Sequence, residues 1–159
     1  MRAGRLGRAR PAARGTEAII VFWVGPYRMA INAGALKEIR NEGDLQGHVG
    51  EGGAILSAHA LFGVPPGRSS RLLVLRRGHT IVRVDRVERM IETGPLRPLP
   101  QAFQGAERRW YCGLAMAGET AIPVVNPETL ELEAQVAAAT ELMAEGCTVN
   151  TLQEERPTV

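Results

Sequence analysis

The stretch AIIVFWVGPYRMAI at residues 18–31 decides the fold class of this chain. Its first part, Ala18–Val24, is apolar, β-branched and aromatic and is too short for a helix, so it predicts a buried strand. Gly25-Pro26 is a turn signal, and Tyr27–Ile31 predicts a returning strand. The stretch also holds the longest apolar run of the chain, which is far shorter than the about 20 residues that span a membrane.

Short strands separated by turns continue along the chain. The predicted extended segments are Leu36–Arg40, Ala54–Leu56, Arg71–Leu75, Thr80–Asp85, Trp110–Met116 and Thr120–Val125, and a short helix at Ser57–Phe62 closes at Gly63. The apolar parity shifts after Asp85, where Val87 and Ile91 take over, so we expect a bulge or bend there. Asn41–Gly53 is rich in glycine and predicts a loop, and Gly94–Pro100 predicts an extended connection.

A helix is predicted to close the domain. Asn126 suits the N-cap, Pro127 the first helical position and Glu128 the first turn, and Gly146 is expected to end the helix. We expect an apolar stripe of this helix to pack on the body of the protein, formed by Leu132, Val136, Ala139 and Met143. Many short strands with a closing helix indicate a mainly all-β fold built of small barrels.

The composition fits one compact domain. The chain has 159 residues, of which 45% are hydrophobic and 23% charged, with a formal net charge of +2. The first 14 residues contain five arginines and no acid. We therefore predict a disordered basic tail at 1–16, a folded domain at 17–146 and a flexible tail at 147–159. Two cysteines are too few for a disulfide scaffold and favour reduced thiols in the cytosol.

The residues that could carry catalysis are few. Ser57 and His59 could share one face, but the sequence places no acid nearby to orient the imidazole, so a hydrolytic site is not favoured. Cys112 lies in a predicted strand and is expected to be a buried, inert thiol. Cys147 and the histidines lack metal-ligand spacing, and the glycines of 47–53 lack the features of a phosphate loop. The sequence predicts no enzyme, cofactor, metal or small-molecule substrate.

Six segments, taken in order and spacing, resemble one known family. They are IIVFWVGPYRMAI at 19–31, LKEI at 36–39, GAILSAHALFG at 53–63, IVRVDRV at 81–87, CGLA at 112–115 and IPVVNPETL at 122–130. Together they resemble the CheW-like domain, the adaptor module of bacterial chemosensory arrays and the regulatory domain of CheA-type histidine kinases. The resemblance spans residues 17–132.

The resemblance implies two small intertwined five-stranded SH3-like barrels with a C-terminal helix. It implies a cytoplasmic, non-catalytic adaptor that binds a methyl-accepting chemoreceptor and the regulatory domain of a CheA-type kinase, with no insertion into a membrane. By position in the matching motif, the partner-binding residues are Gly53, Ile55 and Leu56. Gly52 stands where the family usually carries an arginine, and Ser57, Ala60 and Asn126 replace its proline and two aspartates.

Two other interpretations are open. A divergent CheW-like scaffold could serve another signalling or motility system, such as pilus motility or a second-messenger pathway. The arginine-rich start and the Arg108–Tyr111 cluster suit a nucleic-acid binder, although a solvated tail and a strand-entry anchor explain them more simply. Nucleic acid is thus the less favoured partner.

Overall fold

The computed structural model describes residues 16–43, 54–65, 67, 71–103, 105 and 107–154, and the side chains of the last helix as far as residue 143. Within these residues the chain forms nine strands and three α-helices. The strands are β1 Glu17–Val24, β2 Tyr27–Asn32, β3 Leu36–Asn41, β4 Ile55–Ser57, β5 Arg71–Leu75, β6 Ile81–Val84, β7 Arg86–Thr93, β8 Tyr111–Ala117 and β9 Thr120–Val125. The helices are α1 Ala58–Phe62, α2 Glu107–Trp110 and α3 Pro127–Glu154.

The first sheet has five strands in the order β7-β1-β2-β9-β8. Its neighbours are antiparallel except β2 and β9, which run parallel. Because alternate side chains of a strand point to opposite faces, β1 contributes to two cores. Ile19 and Val21 pack in one cluster, and the other face of the strand supplies a second and larger cluster with Ile20, Phe22 and Val24. The predicted buried strand is therefore confirmed.

The second sheet has the order β3-β5-β6-β4. β5 pairs antiparallel with both β3 and β6, whereas β4 runs parallel to β6. The described residues supply four strands to this sheet, where the resemblance implied five. The strands predicted from sequence occur with bounds that agree to within one residue at each end. The mainly β architecture, two small sheets followed by a C-terminal helix, agrees with the fold class predicted from the sequence.

The chain passes from the second sheet back to the first at Asp85. This residue lies between β6 and β7, which belong to different sheets, and it is the bend that the change of apolar parity predicts. Val84 before it is fully buried, whereas β7 is mostly exposed, with Val87 and Ile91 half-buried. β7 also pairs with β1 through a register shift between Val21 and Phe22. The two sheets are thus interleaved along the chain.

The closing helix α3 begins as predicted but packs differently. The Asn126 Oδ1 accepts a hydrogen bond from the backbone N–H of Glu128 at 3.1 Å, which is an N-cap contact. The hydroxyl of Thr129 donates a hydrogen bond to the carbonyl of Arg109, and Leu130 and Ala134 are buried on the same side of the helix. The expected stripe is therefore wrong: Leu132, Val136 and Met143 are 55%, 60% and 75% exposed, and Ala139 is exposed too.

The helix also runs past its expected end. α3 continues through Gly146 to Glu154, so the predicted termination at Gly146 is wrong. A single glycine inside a helix costs only about 1 kcal/mol relative to alanine. No proline follows it within the helix to force an end.

Candidate interaction surfaces

The strand β4 lies at an edge of the second sheet, among the residues that the structure describes. It pairs with β6 from Ile55 to Ser57, and the amide of Ile81 donates to the carbonyl of Ala54 at 2.9 Å. The Ile55 side chain is 49% exposed, whereas the Leu56 side chain is 5% exposed. An exposed isoleucine on a strand at the edge of the described sheet presents apolar surface, which suits docking of another protein.

The three residues predicted to bind partners thus have different positions. Ile55 presents its side chain to solvent. Leu56 directs its side chain to the interior, so a partner could contact only its backbone. Gly53 lies outside the described residues. Ile55 is therefore the member of the motif whose side chain is available for contact.

A buried junction holds the two sheets and α1 together. The His59 ring, in α1, is 2% exposed, and its Nε2 lies 2.8 Å from the Oδ1 of Asp85. The Oδ2 of Asp85 accepts a hydrogen bond from the amide of Gly25, in the turn between β1 and β2. Gly25 has a φ of +56°, and a Cβ there would lie 2.4 Å from the Val64 Cγ1. The junction therefore requires glycine at this turn.

The expectation that no acid orients His59 is wrong, since Asp85 does so from 26 residues away. A histidine paired with an aspartate is part of a catalytic triad, but a nucleophile and access for substrate are also needed. The His59 ring is closed to solvent, and among the described residues Ser57 forms no hydrogen bond with it. The pair serves to position α1 and the crossover at Asp85.

A pocket of about 410 Å³ opens between the start of β2, the end of α1, α2 and β8. Its volume lies within the range of about 300–1,000 Å³ typical of ligand pockets. Among the described residues of its lining, Arg28 and Glu107 are charged, and the others are aromatic or apolar: Tyr27, Met29, Leu61, Phe62, Trp110, Tyr111 and Pro123. Sequence analysis did not find this site, because the aromatic residues come from three distant parts of the chain.

The rings of this pocket are held by contacts with one another. The Phe62 centroid lies 5.6 Å from that of Trp110 and 6.5 Å from that of Tyr111, and Phe103 meets Tyr111 edge-on. Partial burial, and to a lesser extent the carboxylate of Glu107, raise the pKa of Tyr111 above its ordinary value. The Tyr111 hydroxyl is therefore a hydrogen-bond donor at neutral pH.

A smaller cavity of about 230 Å³ lies between the turn after β2, the turn after β5 and the start of α3. Arg76 lines it and donates to the carbonyls of Gly34 and Leu36 at 3.2 and 3.4 Å. Glu128 and Glu131 of α3 face the same cavity. The cavity has less room for a ligand than the aromatic pocket, and Arg76, one of the two arginines in its lining, is already engaged by the backbone.

Cys112 differs from the prediction in its exposure. The residue lies in β8 as predicted, but it is exposed rather than buried, and its sulfur donates a weak hydrogen bond to the carbonyl of Val125 at 3.7 Å. Partial burial of the sulfur raises the pKa of the thiol, and the carboxylates of Glu17 and Glu128 add to the shift. A raised pKa lowers the thiolate fraction and so makes Cys112 a poor nucleophile.

No group of three or more His, Cys, Asp or Glu side chains that could hold a metal ion occurs among the described residues. The described helices also include none that is long and apolar enough to cross a membrane.

Comparison with known proteins gives a match in structure only. No protein-family model matches the sequence, and no curated protein matches it. The crystal structure of the scaffolding protein TtCheW from Thermoanaerobacter tengcongensis is similar, with a TM-score of 0.54. The match covers 69% of this chain and 88% of TtCheW. This chain has a CheW-like fold. At 13% sequence identity the likeness extends to the fold alone, and the CheW-like resemblance read from the sequence agrees with it.

Proposed function

We propose that this chain is a non-catalytic signalling adaptor of the cytoplasm. It would bind the regulatory domain of a CheA-type histidine kinase and a methyl-accepting chemoreceptor, and so couple the state of the receptor to the activity of the kinase. The observation that supports this most directly is the CheW-like fold, which this chain shares with a scaffolding protein.

The surface of the second sheet supports the proposal. Ile55 is 49% exposed on the edge strand β4, at the position that matches the family's motif. Protein interfaces are built around apolar side chains at their centre with a polar rim, and a few such residues supply most of the binding energy. We therefore propose Ile55 as a partner contact, together with the backbone of Leu56 and, from its place in the sequence motif, Gly53.

The chemistry of the described side chains is consistent with an adaptor. His59 is closed to solvent and paired with Asp85, so it is not free to act as a base on a bound substrate. Cys112 has a raised thiol pKa, which disfavours a nucleophilic role. His59 is thus inaccessible to a substrate, and Cys112, which is exposed, is a weak nucleophile.

Capture by an immobilised kinase regulatory domain tests the proposal. The Ile55→Glu variant should be captured about tenfold more weakly than the natural chain, because a charge at the centre of an interface removes a major contact. Met90→Glu is the matched control, since Met90 is 63% exposed on β7 of the other sheet. This variant should bind the kinase domain as the natural chain does. Thermal unfolding of both variants checks that the fold is intact.

The outcomes separate two claims. Equal capture of the natural chain and Ile55→Glu would contradict the role of Ile55 as a contact. Failure of the natural chain to bind either the kinase domain or a receptor fragment would contradict the adaptor function itself.

A further inference from the structure

The aromatic residues of this chain are concentrated at one place on its surface. The sequence contains seven Phe, Trp and Tyr residues. Four of them line the 410 Å³ pocket, namely Tyr27, Phe62, Trp110 and Tyr111, and Phe103 packs against the last of these. Tyr27 is 53% exposed, and the other three lining rings are half-buried. Such a cluster presents several electron-rich ring faces to a single occupant.

One carboxylate of the described lining is placed to pair with a cation beside the rings. Glu107 is exposed at its edge and forms no ion pair among the described residues. Arg28, the other charged residue of the lining, is neutralised by Glu88, whose two oxygens accept hydrogen bonds from its Nε and Nη2 at 2.8 and 3.0 Å. Arg108 and Arg109 follow Glu107 in α2, but among the described residues neither forms a salt bridge with it, so its carboxylate can pair with a positive group placed beside the rings.

A contact between an arginine and an aromatic ring already occurs elsewhere on the molecule. The guanidinium carbon of Arg86 lies 4.7 Å from the centroid of a Trp23 ring, within the range of about 6 Å for a cation–π contact. Glu88 accepts a hydrogen bond from the Trp23 indole at 3.3 Å. A guanidinium over an aromatic face is therefore an arrangement that this molecule already contains.

We propose that the aromatic pocket binds the side chain of an arginine presented by a partner protein, with its guanidinium against the rings of Trp110 and Tyr111 and paired with Glu107. The planar guanidinium stacks on aromatic faces and forms forked hydrogen bonds with a carboxylate, which the compact ammonium of lysine cannot match. This inference deepens the proposed adaptor function and rests on it for the statement that the arginine belongs to another protein.

A peptide titration followed by NMR tests the proposal on the full-length, ¹⁵N-labelled chain. The probes are acetyl-Gly-Gly-Arg-Gly-Gly-amide and two analogues in which citrulline or lysine replaces the arginine. The indole signals of the two tryptophans are assigned with Trp23→Phe. The Trp110 signal should shift on addition of the arginine peptide while that of Trp23 stays fixed. Affinity for the arginine peptide should exceed that for the citrulline peptide about tenfold, because citrulline keeps the shape and lacks the charge.

Two matched variants locate the charge. Glu107→Gln should weaken binding of the arginine peptide about threefold, the range expected for an exposed ion pair. Glu119→Gln lies in the turn between β8 and β9, outside the pocket, and should leave the affinity unchanged. The dispersion of the amide spectrum verifies that each variant is folded.

Several results would overturn the proposal. They are a Trp110 signal that does not move, equal affinity for arginine and citrulline, equal affinity for arginine and lysine, and an unchanged affinity in Glu107→Gln. Because the peptides involve neither kinase nor receptor, such a result together with normal capture of the natural chain by the kinase domain would remove the pocket and leave the adaptor function standing. Arginine-selective binding without capture by kinase or receptor would support the pocket and contradict the adaptor function.

Discussion

The strand β1 and the helix α3 are both rich in apolar residues, yet they are buried to opposite degrees. Five of the eight residues of β1 are buried, whereas only Thr129, Leu130 and Ala134 are buried within residues 127–143 of α3. A strand inside a sheet can bury both of its faces, as β1 does between two core clusters. A helix that is attached through its first two turns buries a single narrow face. Apolar content therefore predicts burial well for β1 and poorly for α3.

Two leucines of α3 give the sharpest form of this comparison. Leu130 is 3% exposed and belongs to the larger core cluster, whereas Leu132, two residues later, is 55% exposed. Leu130→Ala should lower the free energy of unfolding by about 3–4 kcal/mol, because it removes buried methyl groups and leaves a cavity. Leu132→Ala should change it by less than about 0.5 kcal/mol. Urea denaturation of both variants measures the difference.

The natural chain and the two variants should unfold with the same dependence on urea concentration if only stability changes. Equal destabilisation by the two substitutions would mean that Leu132 is covered in solution. The contrast between a mostly buried β1 and a mostly exposed α3 would then be wrong.

The turn that ends β1 offers a second test of how strongly that strand is fixed. Gly25→Ala should destabilise the protein by about 2–3 kcal/mol, since the new Cβ would combine a left-handed backbone with a clash against Val64. Gly118→Ala is a control for the backbone alone, because Gly118 has a φ of +63° and open space around it. Gly118→Ala should lower the free energy of unfolding by about 1 kcal/mol.

Gly94→Ala controls for the substitution itself, since Gly94 has neither a positive φ nor a neighbour within 4 Å. Its effect should stay within about 0.5 kcal/mol. Thermal melts of the three variants should rank them in the order Gly25, Gly118, Gly94. A cost at Gly25 no larger than at Gly118 would contradict a close contact between this turn and Val64.

The sequence was informative at several places where structure is determined by neighbouring residues, although not at Gly146, where the helix continues. The strand pattern of Ala18–Val24, the N-cap at Asn126 and the bend at Asp85 each depend on a few adjacent side chains, and all three were predicted. Which face of α3 packs on the body involves residues distant in sequence, such as Arg109, whose carbonyl accepts a hydrogen bond from Thr129. Periodicity identifies residues that share a face, but it does not decide between the face of Leu130 and that of Leu132.

The candidate sites depend even more on contacts between distant residues. His59 meets Asp85 across 26 residues, and the carboxylate could not be assigned to that imidazole without the crossover between the sheets. The aromatic pocket combines Tyr27, Phe62 and Trp110, which lie on separate elements. The motif at Ile55 could be found from sequence because it is contiguous, but the exposure of its side chain could not.

The thiol of Cys112 gives the test with the smallest expected effect. It responds both to the start of β1, through Glu17, and to the start of α3, through Glu128. The carboxylates of Glu17 in β1 and Glu128 in α3 both raise its pKa, after partial burial. Since the thiolate is the reactive form, iodoacetamide should modify Cys112 more slowly at about pH 8 than it modifies a small-molecule thiol. In a Cys147→Ser background, Glu17→Gln and Glu128→Gln should each lower the pKa and raise the rate up to about twofold, while Glu119→Gln should not. A response to Glu17→Gln without one to Glu128→Gln would mean that the start of α3 is not held beside β8, even though the start of β1 is.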